Sequence, residues 1–295
     1  MRIGRIATPL GMAFAVIEGE EDELTAKVIE GTPFTPPKFT GKEFGPGEYR
    51  LLAPMLPSKV LAIGRNYADH VAEVFKQSAE HLPPTLFIKP PTAVVGPGAP
   101  IKIPEFATNV EFEGELALVI SRPCKNVRAA DWRQVVLGYT VVNDVSSRDL
   151  QFSDGQWARA KGIDTFCPLG PWIEMNLDAI DVTDLPIKAR LTHEGTTEVK
   201  QDSNSSQMIM SIGEILEFIT ASITLLPGDV ICTGSPAGTA AMVPATSSRS
   251  RSPAWASSET PSSAPSAPGR RRPARRARPG PSHRKHAVRC ARTRW

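Results

Sequence analysis

The chain has little that would tie it to a membrane or to an oxidising compartment. No run among its 295 residues approaches the roughly 18 to 20 apolar positions that a membrane-spanning helix requires. Its four cysteines show no paired spacing, and no signal peptide is recognisable. A G-x-G-x-x-G after a strand and a phosphate-binding loop are also missing, so the sequence does not favour nucleotide chemistry. We therefore expect a cytoplasmic protein without a membrane anchor.

The net charge of +3 conceals two oppositely charged parts. Residues 245–295 carry twelve arginines and one lysine against one glutamate, a net charge of +12. The preceding 244 residues carry 21 basic and 30 acidic side chains, a net charge of −9. The tail consists mainly of Ser, Pro, Ala and Arg, and Val288 is its only Val, Ile, Leu, Met, Phe or Tyr. It lacks the apolar residues that a core requires.

Two hypotheses explain this tail. A disordered basic arm would bind nucleic acid by neutralising phosphates. Alternatively, one base was lost after the codon of Pro244. Restoring the frame turns TCN serine codons into codons for apolar residues. It turns AGA or AGG arginine codons into codons for Lys, Gln or Glu. Residues 247–252 then regain the alternation of apolar and polar residues that is typical of a strand. We favour the frameshift and expect an aberrant, disordered tail over 245–295.

Short apolar runs dominate the rest of the chain. Residues 1–54 contain brief runs between Gly, Pro and acidic clusters, which predicts a small β-rich leading domain. A second, mainly β domain over 55–244 has predicted strands at 60–63, 86–88, 115–120, 135–142, 187–191 and 230–233. Helices are predicted over 67–78 and from Ser211, where Glu214 completes a capping box. The fold class is therefore α+β, mainly β with some α.

Acidic residues spaced two apart introduce one of the predicted strands. Glu113 and Glu115 project to one face of a strand, and Asp144 ends a second apolar run. Two adjacent carboxylates need a cation, and three without convergent Cys or His favour Mg²⁺ or Mn²⁺ over Zn²⁺. Spacing alone favours the other interpretation, a solvated strand face that includes Glu111.

His70 and Glu73 stand three residues apart in the first predicted helix. On one helix face the carboxylate can fix the imidazole tautomer and raise its basicity. Such a pair can activate water. An ion pair on an exposed first helical turn explains the same spacing equally well.

Several motifs occur in one characteristic order. They are Gly-Arg-Asn-Tyr at 64–67 with His70 and Glu73, Leu-Phe-Ile-Lys-Pro at 86–90, Glu-Gly-Glu-Leu-Ala at 113–117, the segment 144–149 with Gln151, Lys161 before Asp-Thr-Phe at 164–166, and Thr-Gly-Ser-Pro-Ala-Gly at 233–238. Over residues 1–244 the chain resembles the fumarylacetoacetate hydrolase family, in particular its bacterial two-domain acylpyruvate hydrolase and oxaloacetate decarboxylase branch. The resemblance implies a mixed β-sandwich roll with a small N-terminal domain, and a catalytic domain at 55–244.

The resemblance also implies roles for individual residues. The implied metal ligands for Mg²⁺ or Mn²⁺ are Glu113, Glu115 and Asp144. The implied catalytic residues are His70, Glu73 and Lys161. The dyad would activate water, and the lysine would stabilise a developing enolate. The implied substrate-binding residues are Arg148, Gln151 and Ser235, with Arg65 and Tyr67 at the entrance of the site.

The implied reaction is metal-dependent cleavage of a carbon–carbon bond in a small 2-oxo acid. It would be hydrolysis of an acylpyruvate or fumarylpyruvate, or decarboxylation of oxaloacetate, both through an enolate and in the context of aromatic catabolism. Isomerisation or decarboxylation of a 2-hydroxymuconate-type diacid is the alternative. A homodimer is also implied, with no membrane and no nucleic acid as partner. Nucleic-acid binding through the tail is the second alternative.

Overall fold

The first strands of the protein form by local antiparallel pairing. In the computed structural model, which describes residues 1–20, 23–79, 82–242 and, for their backbone, 247–252 and 256–263, β1 (Arg2–Thr8) pairs with β2 (Gly11–Glu18). β3 (Thr25–Glu30) continues this ladder, followed by β4 (Lys38–Phe44), while β5 (Arg50–Leu52) pairs with the other side of β1.

Thirteen further strands follow up to residue 242. They are β6 (Val60–Gly64), β7 (Thr85–Lys89), β8 (Val94–Val95), β9 (Ile101–Lys102), β10 (Val110–Phe112), β11 (Gly114–Ile120), β12 (Val136–Asn143), β13 (Ser146–Ser147), β14 (Cys167–Glu174), β15 (Pro186–His193), β16 (Thr196–Asn204), β17 (Val230–Cys232) and β18 (Ala240–Ala241). The α-helices in the described ranges are α1 (Ala68–Phe75), α2 (Arg148–Ser153), α3 (Ala158–Lys161) and α4 (Ile212–Ser222). Short 3₁₀ helices are found at Pro91–Ala93, Ala129–Gln134 and Ser205–Gln207.

One large sheet carries most of these strands. Its order is β4-β3-β2-β1-β14-β12-β11-β17-β6-β7, with β5 on β1 and β8 on β14. The leading strands therefore join the later ones through the pairing of β1 with β14. The mainly β prediction with some α is confirmed, and the predicted strands are found within a few residues of their expected bounds.

Strand β11 lies inside this sheet and is buried at every position. Its side chains alternate between two cores. Leu116 and Leu118 belong to the main core, which includes the apolar face of α4, whereas Ala117 belongs to a second core with Phe87 and Trp157. Because Glu113 and Glu115 are in phase with Ala117, the fold directs both carboxylates toward the second core.

Both predicted helices are present. The helix expected over 67–78 is shorter, since it ends before Lys76, which adopts a left-handed φ of 54°. The predicted capping box begins α4, where Ser211 Oγ accepts a hydrogen bond from Glu214 N–H and Glu214 Oε2 accepts one from Ser211 N–H. Within the described ranges no helix has the length and apolar character needed to cross a bilayer. The three cysteines described, Cys124, Cys167 and Cys232, are buried free thiols.

Two smaller sheets complete the described structure, and one includes part of the tail. Their orders are β13-β10-β18 and β16-β15-β19-β20-β9, where β19 is Ser247–Ser252 and β20 is Ala256–Ser263. The whole tail was predicted to be disordered, but these two segments form β-strands. The ladder uses main-chain groups, which are the same in either reading frame. The rest of the tail, including 264–295, lies outside the described residues.

Candidate metal centre

Two carboxylates lie at the start of the central strand β11. Glu113 precedes the strand and Glu115 is its second residue, so both project to the face of Ala117. The neighbouring strand β12 ends at Asn143, and the next backbone N–H, that of Asp144, donates to the Glu113 carbonyl oxygen at 2.8 Å. The antiparallel pairing thus places Asp144 beside both glutamates.

These three carboxylates form one buried cluster. One ligand oxygen from each of Glu113, Glu115 and Asp144 lies within 4.8 Å of the others, and the residues are 2, 3 and 1% exposed. The interpretation as a solvated strand face is therefore wrong. Glu111 stays outside the cluster, since its Oε2 accepts a hydrogen bond from Arg148 Nε at 2.8 Å. The cavity between the residues has a volume of about 10 Å³, close to the ~10–15 Å³ that one water molecule requires.

Three cations neutralise part of this cluster. Lys161 Nζ donates to Glu113 Oε2 at 2.8 Å and to Asp144 Oδ2 at 2.6 Å. Lys89 Nζ donates to Asp144 Oδ1 at 2.5 Å. Arg148 Nη2 lies 2.5 Å from Glu113 Oε1. Glu113 and Asp144 are therefore each paired with two positive charges.

Among the described residues, no cation forms a salt bridge with Glu115. In the described part of the chain its carboxylate accepts one hydrogen bond, from Gly234 N–H to Oε2 at 2.8 Å. Burial, together with the charges of Asp144 and Glu113, raises the pKa of Glu115 well above its usual range. Burial opposes ionisation of Glu113 as well, but the positive charges around Glu113 outweigh it and hold its pKa well below the usual range.

The chemistry of this donor set fits a divalent cation. Carboxylate oxygens are the ligands that hard ions such as Mg²⁺ and Mn²⁺ prefer. A buried carboxylate without a cationic partner is costly, and an ion would supply the positive charge that no salt bridge of Glu115 provides. The residues that would hold it are Glu113, Glu115 and Asp144.

His70 and Glu73 lie on one face of α1, and His70 lines the same cavity. His70 Nδ1 is 3.6 Å from Glu73 Oε2, and His70 Nε2 is 3.8 Å from Glu113 Oε1. Glu73 Oε2 also accepts a hydrogen bond from Gly238 N–H at 3.0 Å. The contact with His70 and the bond from Gly238 lower the pKa of Glu73 against the effect of its partial burial. A charged Glu73 can therefore orient the imidazole, with one nitrogen toward the carboxylate and the other toward the cavity.

Most of the predicted substrate-binding residues line this cavity. Those that do are Arg65, Arg148, Gln151 and Ser235. Tyr67 is not among the residues that line the cavity. It is 0% exposed, forms a β-bridge with Met208 and belongs to the main core, and its place at the entrance stays a prediction.

Two polar residues of the site received no role from the sequence. Lys89 is fully buried on β7, in phase with the buried Phe87. A lysine on the apolar face of a strand is a signal that could have identified it. Gln201 is also fully buried, and its side chain donates to Ser235 Oγ at 2.7 Å. It is the one buried residue of β16, whose other positions are exposed or half-buried, so no local pattern singles it out.

Comparisons with known proteins agree with the fold and show the family. The sequence family "Fumarylacetoacetate (FAA) hydrolase C-terminal" matches residues 59–278, and the family "Rv2993c-like, N-terminal" matches residues 1–54. The chain therefore belongs to the fumarylacetoacetate hydrolase family, which is a family of enzymes.

Three relatives are similar over nearly all of their own length. Protein Rv2993c of Mycobacterium tuberculosis is 52% identical over 241 residues, which are 81% of this chain and 89% of the relative. The crystal structure of Cg1458 with inhibitor is 70% identical with a TM-score of 0.88, covering 89% of this chain and 99% of that chain. A 5-carboxymethyl-2-hydroxymuconate delta-isomerase from Mycobacterium smegmatis is 45% identical with a TM-score of 0.80, covering 89% of this chain and 99% of that chain.

Two less similar relatives have names that specify an oxo acid. Oxaloacetate tautomerase fahd2, mitochondrial, of Xenopus laevis is 39% identical over 195 residues, 64% of this chain and 58% of the relative. Maleylpyruvate hydrolase from Sphingobium sp. SYK-6, solved in complex with manganese(II) and pyruvate, is 25% identical with a TM-score of 0.72, covering 90% of this chain and 100% of that chain. Isomerase, tautomerase and hydrolase thus occur on one fold.

Proposed function

We propose that this protein is a divalent-metal-dependent enzyme that cleaves a carbon–carbon bond of small 2-oxo acids through an enolate. One observation carries the proposal: three buried carboxylates converge within 4.8 Å, and the ammonium of Lys161 contacts two of them. A buried oxygen donor set beside a fixed cation suits a reaction in which negative charge develops on oxygen. The proposed ion is Mg²⁺ or Mn²⁺. The manganese and pyruvate bound to maleylpyruvate hydrolase support this choice.

An ion at this site would act as a Lewis acid that polarises the 2-oxo group. Lys161 contributes a positive charge that stays in place. Burial opposes its protonation, but Asp144 and Glu113 raise the pKa of Lys161. Its ammonium can donate a hydrogen bond to the oxygen on which enolate charge develops, an interaction worth about 3 kcal/mol of the barrier. Arg148 supplies a second buried cation at the cavity for the substrate carboxylate.

With an acylpyruvate as substrate, the dyad would supply the step that consumes water. His70 accepts a proton from water while the water oxygen bonds to the carbonyl carbon distal to the 2-oxo acid. The bond from that carbon to the methylene then breaks, and its electron pair forms the pyruvate enolate. The acyl group leaves as a carboxylic acid. The proton on His70 passes to the methylene carbon and completes pyruvate, while Glu73 keeps the imidazole oriented.

With oxaloacetate as substrate, no attacking water is required. The bond from the methylene carbon to the distal carboxylate breaks, its electron pair forms the same enolate, and carbon dioxide leaves. A proton from solvent then gives pyruvate. Lys161 has the same role in both reactions, whereas His70 has an essential role only in the hydrolysis.

Isomerisation is the second candidate function. The enolate or dienolate would be protonated at another atom, without any carbon–carbon bond being broken. The isomerase from M. smegmatis at 45% identity and the X. laevis oxaloacetate tautomerase at 39% identity favour this reaction. It uses the same cluster and the same lysine.

A substrate panel tests the proposal. The purified full chain is stripped with a chelator, reloaded with Mg²⁺ or Mn²⁺, and assayed with acylpyruvates, oxaloacetate and a hydroxymuconate-type diacid. We expect pyruvate release from one of the first two, lost on chelation and restored by either ion. If exhaustive removal of metal leaves the activity unchanged, the proposed metal dependence is rejected. Conversion of the diacid without pyruvate release from the other substrates would select the isomerase.

Two partner predictions accompany the proposal. The family resemblance suggests a homodimer, which sedimentation equilibrium of the full chain measures. The basic tail suggests nucleic-acid binding as the alternative function. Salt-sensitive binding of duplex DNA by the full chain, lost when 245–295 are removed, would support that alternative.

A further inference from the structure

Gln201 connects two parts of the site that are distant in sequence. It is fully buried on β16, and its side chain makes three hydrogen bonds. The Oε1 atom accepts from Gly114 N–H at 2.8 Å, between Glu113 and Glu115. The Nε2 atom donates to Ser235 Oγ at 2.7 Å and to the Pro236 carbonyl oxygen at 2.8 Å.

The direction of each bond follows from the donor inventory. The backbone N–H of Gly114 can only donate, so the amide atom that faces it must be the oxygen. The NH₂ group of Gln201 therefore points to Ser235 and Pro236. The carbonyl of Pro236 can only accept, which agrees with this orientation. Ser235 Oγ consequently accepts a hydrogen bond from Gln201.

The single hydrogen of the Ser235 hydroxyl is then free to be donated. In the described structure the acceptor within its reach is the Pro236 carbonyl oxygen, 3.3 Å away, which already receives the shorter bond from Gln201. Ser235 is 4% exposed and lines the cavity of the carboxylate cluster. A weakly held hydroxyl hydrogen at the wall of a small cavity is available to an anionic acceptor.

We propose that Gln201 is a positioning residue that holds the Ser235 hydroxyl as a donor for the carboxylate of a 2-oxo acid. This inference rests on the function proposed above and adds a residue to it. The amide acts in one direction: its N–H occupies one of the two acceptor sites on Ser235 Oγ, so the hydroxyl hydrogen is turned away from Gln201 and is left to be donated. The substrate carboxylate meets a donor that is already oriented.

A purely structural role for Gln201 predicts a different outcome. Because Gly114 lies between Glu113 and Glu115, loss of a structural contact there would disturb the ion site and lower the affinity for the metal. Loss of the proposed positioning would lower the affinity for the carboxylate and leave the ion site intact. The two roles therefore separate in two binding measurements.

The variants are Gln201→Met, which removes all three hydrogen bonds, and Gln201→Glu, whose carboxylate, when ionised, can accept from Gly114 N–H but cannot donate to Ser235. Ser235→Ala and the double variant with Gln201→Met complete a cycle, and Ser235→Thr, which keeps the hydroxyl, is compared with Ser235→Ala. Gln134→Met is the control, because Gln134 is exposed and lies on the 3₁₀ helix Ala129–Gln134, outside the cavity lining. Mn²⁺ binding and then pyruvate binding to the Mn²⁺-saturated full chain are measured by calorimetry, with kcat and KM for oxaloacetate alongside.

We expect both Gln201 variants to weaken pyruvate binding about tenfold, with Mn²⁺ affinity unchanged within about twofold and the loss in turnover falling mainly on KM. In the Ser235→Ala background, Gln201→Met should add nothing, while Ser235→Thr, which keeps the hydroxyl, should lose less pyruvate affinity than Ser235→Ala. Three results would each overturn this inference while leaving the proposed function standing. They are unchanged pyruvate binding in Gln201→Met, a loss of pyruvate affinity from Gln201→Met that is equally large in the Ser235→Ala background, and a loss of Mn²⁺ affinity that parallels the loss of pyruvate affinity. Failure of the unmodified chain to bind Mn²⁺ and pyruvate would overturn the proposed function and this inference together.

Discussion

Lys89 Nζ lies 2.5 Å from Asp144 Oδ1, with both side chains at most 1% exposed. The other oxygen of the same carboxylate accepts from Lys161 at 2.6 Å. Two lysines from separate elements therefore hold the two oxygens of one candidate ligand. This fixes the carboxylate in the absence of an ion, as a preorganised site requires.

Replacement of Lys89 tests whether its contact holds the Asp144 carboxylate in place for the reaction. Lys89→Met leaves the buried Asp144 with one cation, so we expect kcat/KM to fall at least about tenfold. The matched control is Lys59→Met, because Lys59 forms another lysine–aspartate pair, with Asp229 at 2.5 Å, away from the cavity. Breaking a buried pair destabilises a protein by about 3 to 5 kcal/mol, so thermal unfolding should shift in both variants. Activity should fall only in Lys89→Met, and equal activities in the two variants would refute the assignment.

Glu115→Gln should separate activity from stability. The variant replaces an anionic candidate ligand of the ion with a neutral amide, so metal-dependent turnover should drop about 100-fold or more. Because the pKa of Glu115 is raised in the folded protein, the folded state binds this proton more tightly than the unfolded chain. The resulting stabilisation is present below the usual glutamate pKa and is lost as pH rises through the raised pKa.

In chelator at neutral pH, Glu115→Gln should therefore unfold at a higher temperature than the unmodified chain, and the difference should shrink as the solution is acidified. Differential scanning calorimetry in EDTA across this pH range measures it. Glu105→Gln, at an exposed position, is the control. A lower unfolding temperature for Glu115→Gln in EDTA at neutral pH would argue against an unpaired buried carboxylate.

His70→Ala should distinguish the two cleavage reactions. Acylpyruvate hydrolysis needs a base for water, so we expect a loss of about 10²–10⁴-fold. Oxaloacetate decarboxylation needs no attacking water and should stay within about tenfold, since the general-base contribution is absent from it. Steady-state pyruvate release with both substrates measures the ratio, and His193→Ala, at an exposed position on β15, is the control. If the rate of pyruvate release falls equally with both substrates, the assignment of His70 as the base that activates water is contradicted.

Gly238 places a backbone N–H against Glu73 through a close approach that a side chain would prevent. A Cβ atom at Gly238, whose φ is +95°, would lie 1.9 Å from the Lys200 carbonyl oxygen. Gly238→Ala should therefore destabilise the protein by more than the ~1–2 kcal/mol of left-handed backbone strain. It should also lower hydrolysis, because the clash shifts the backbone N–H of residue 238 away from Glu73. Gly195→Ala is the control, with φ +80° and nothing within 4 Å of its Cβ. Chemical denaturation of both variants measures the difference, and equal destabilisation would contradict the packing argument.

Restoration of the reading frame after Pro244 is the last test. The backbone of β19 pairs with β15, but as written β19 is the alternating run Ser-Ser-Arg-Ser-Arg-Ser. The restored frame replaces its serines with apolar residues, so we expect a higher unfolding temperature and a higher soluble yield because apolar surface becomes buried. Resequencing of the locus is the complementary measurement. An intact frame, or a restored chain that is no more stable, would support the tail as a genuine basic arm.

Much of the local structure could be predicted because it depends on neighbouring residues. Apolar runs and alternation predicted the strands around β11 and β12, and Ser211 with Glu214 predicted the start of α4. The spacing of Glu113 and Glu115 predicted a shared face, but period-two spacing is the same on a solvated face and on a buried one. Burial of the pair followed only from the packing of strands on both sides of β11.

The sequence by itself determined most of the longer strands, the two longest helices, the shared face of the two glutamates and the order of motifs that marks the family and implies Asp144 as their companion. Only the tertiary structure decided that Lys89 and Lys161 hold Asp144, that Tyr67 turns into the core and that Gln201 reaches Gly114. The physical reason is the separation in sequence of the residues that interact. Secondary structure follows from interactions over a few residues, whereas Gln201 and Gly114 are 87 positions apart and Lys89 and Asp144 are 55 apart. Such contacts form only when the strands pair, and no local periodicity encodes them.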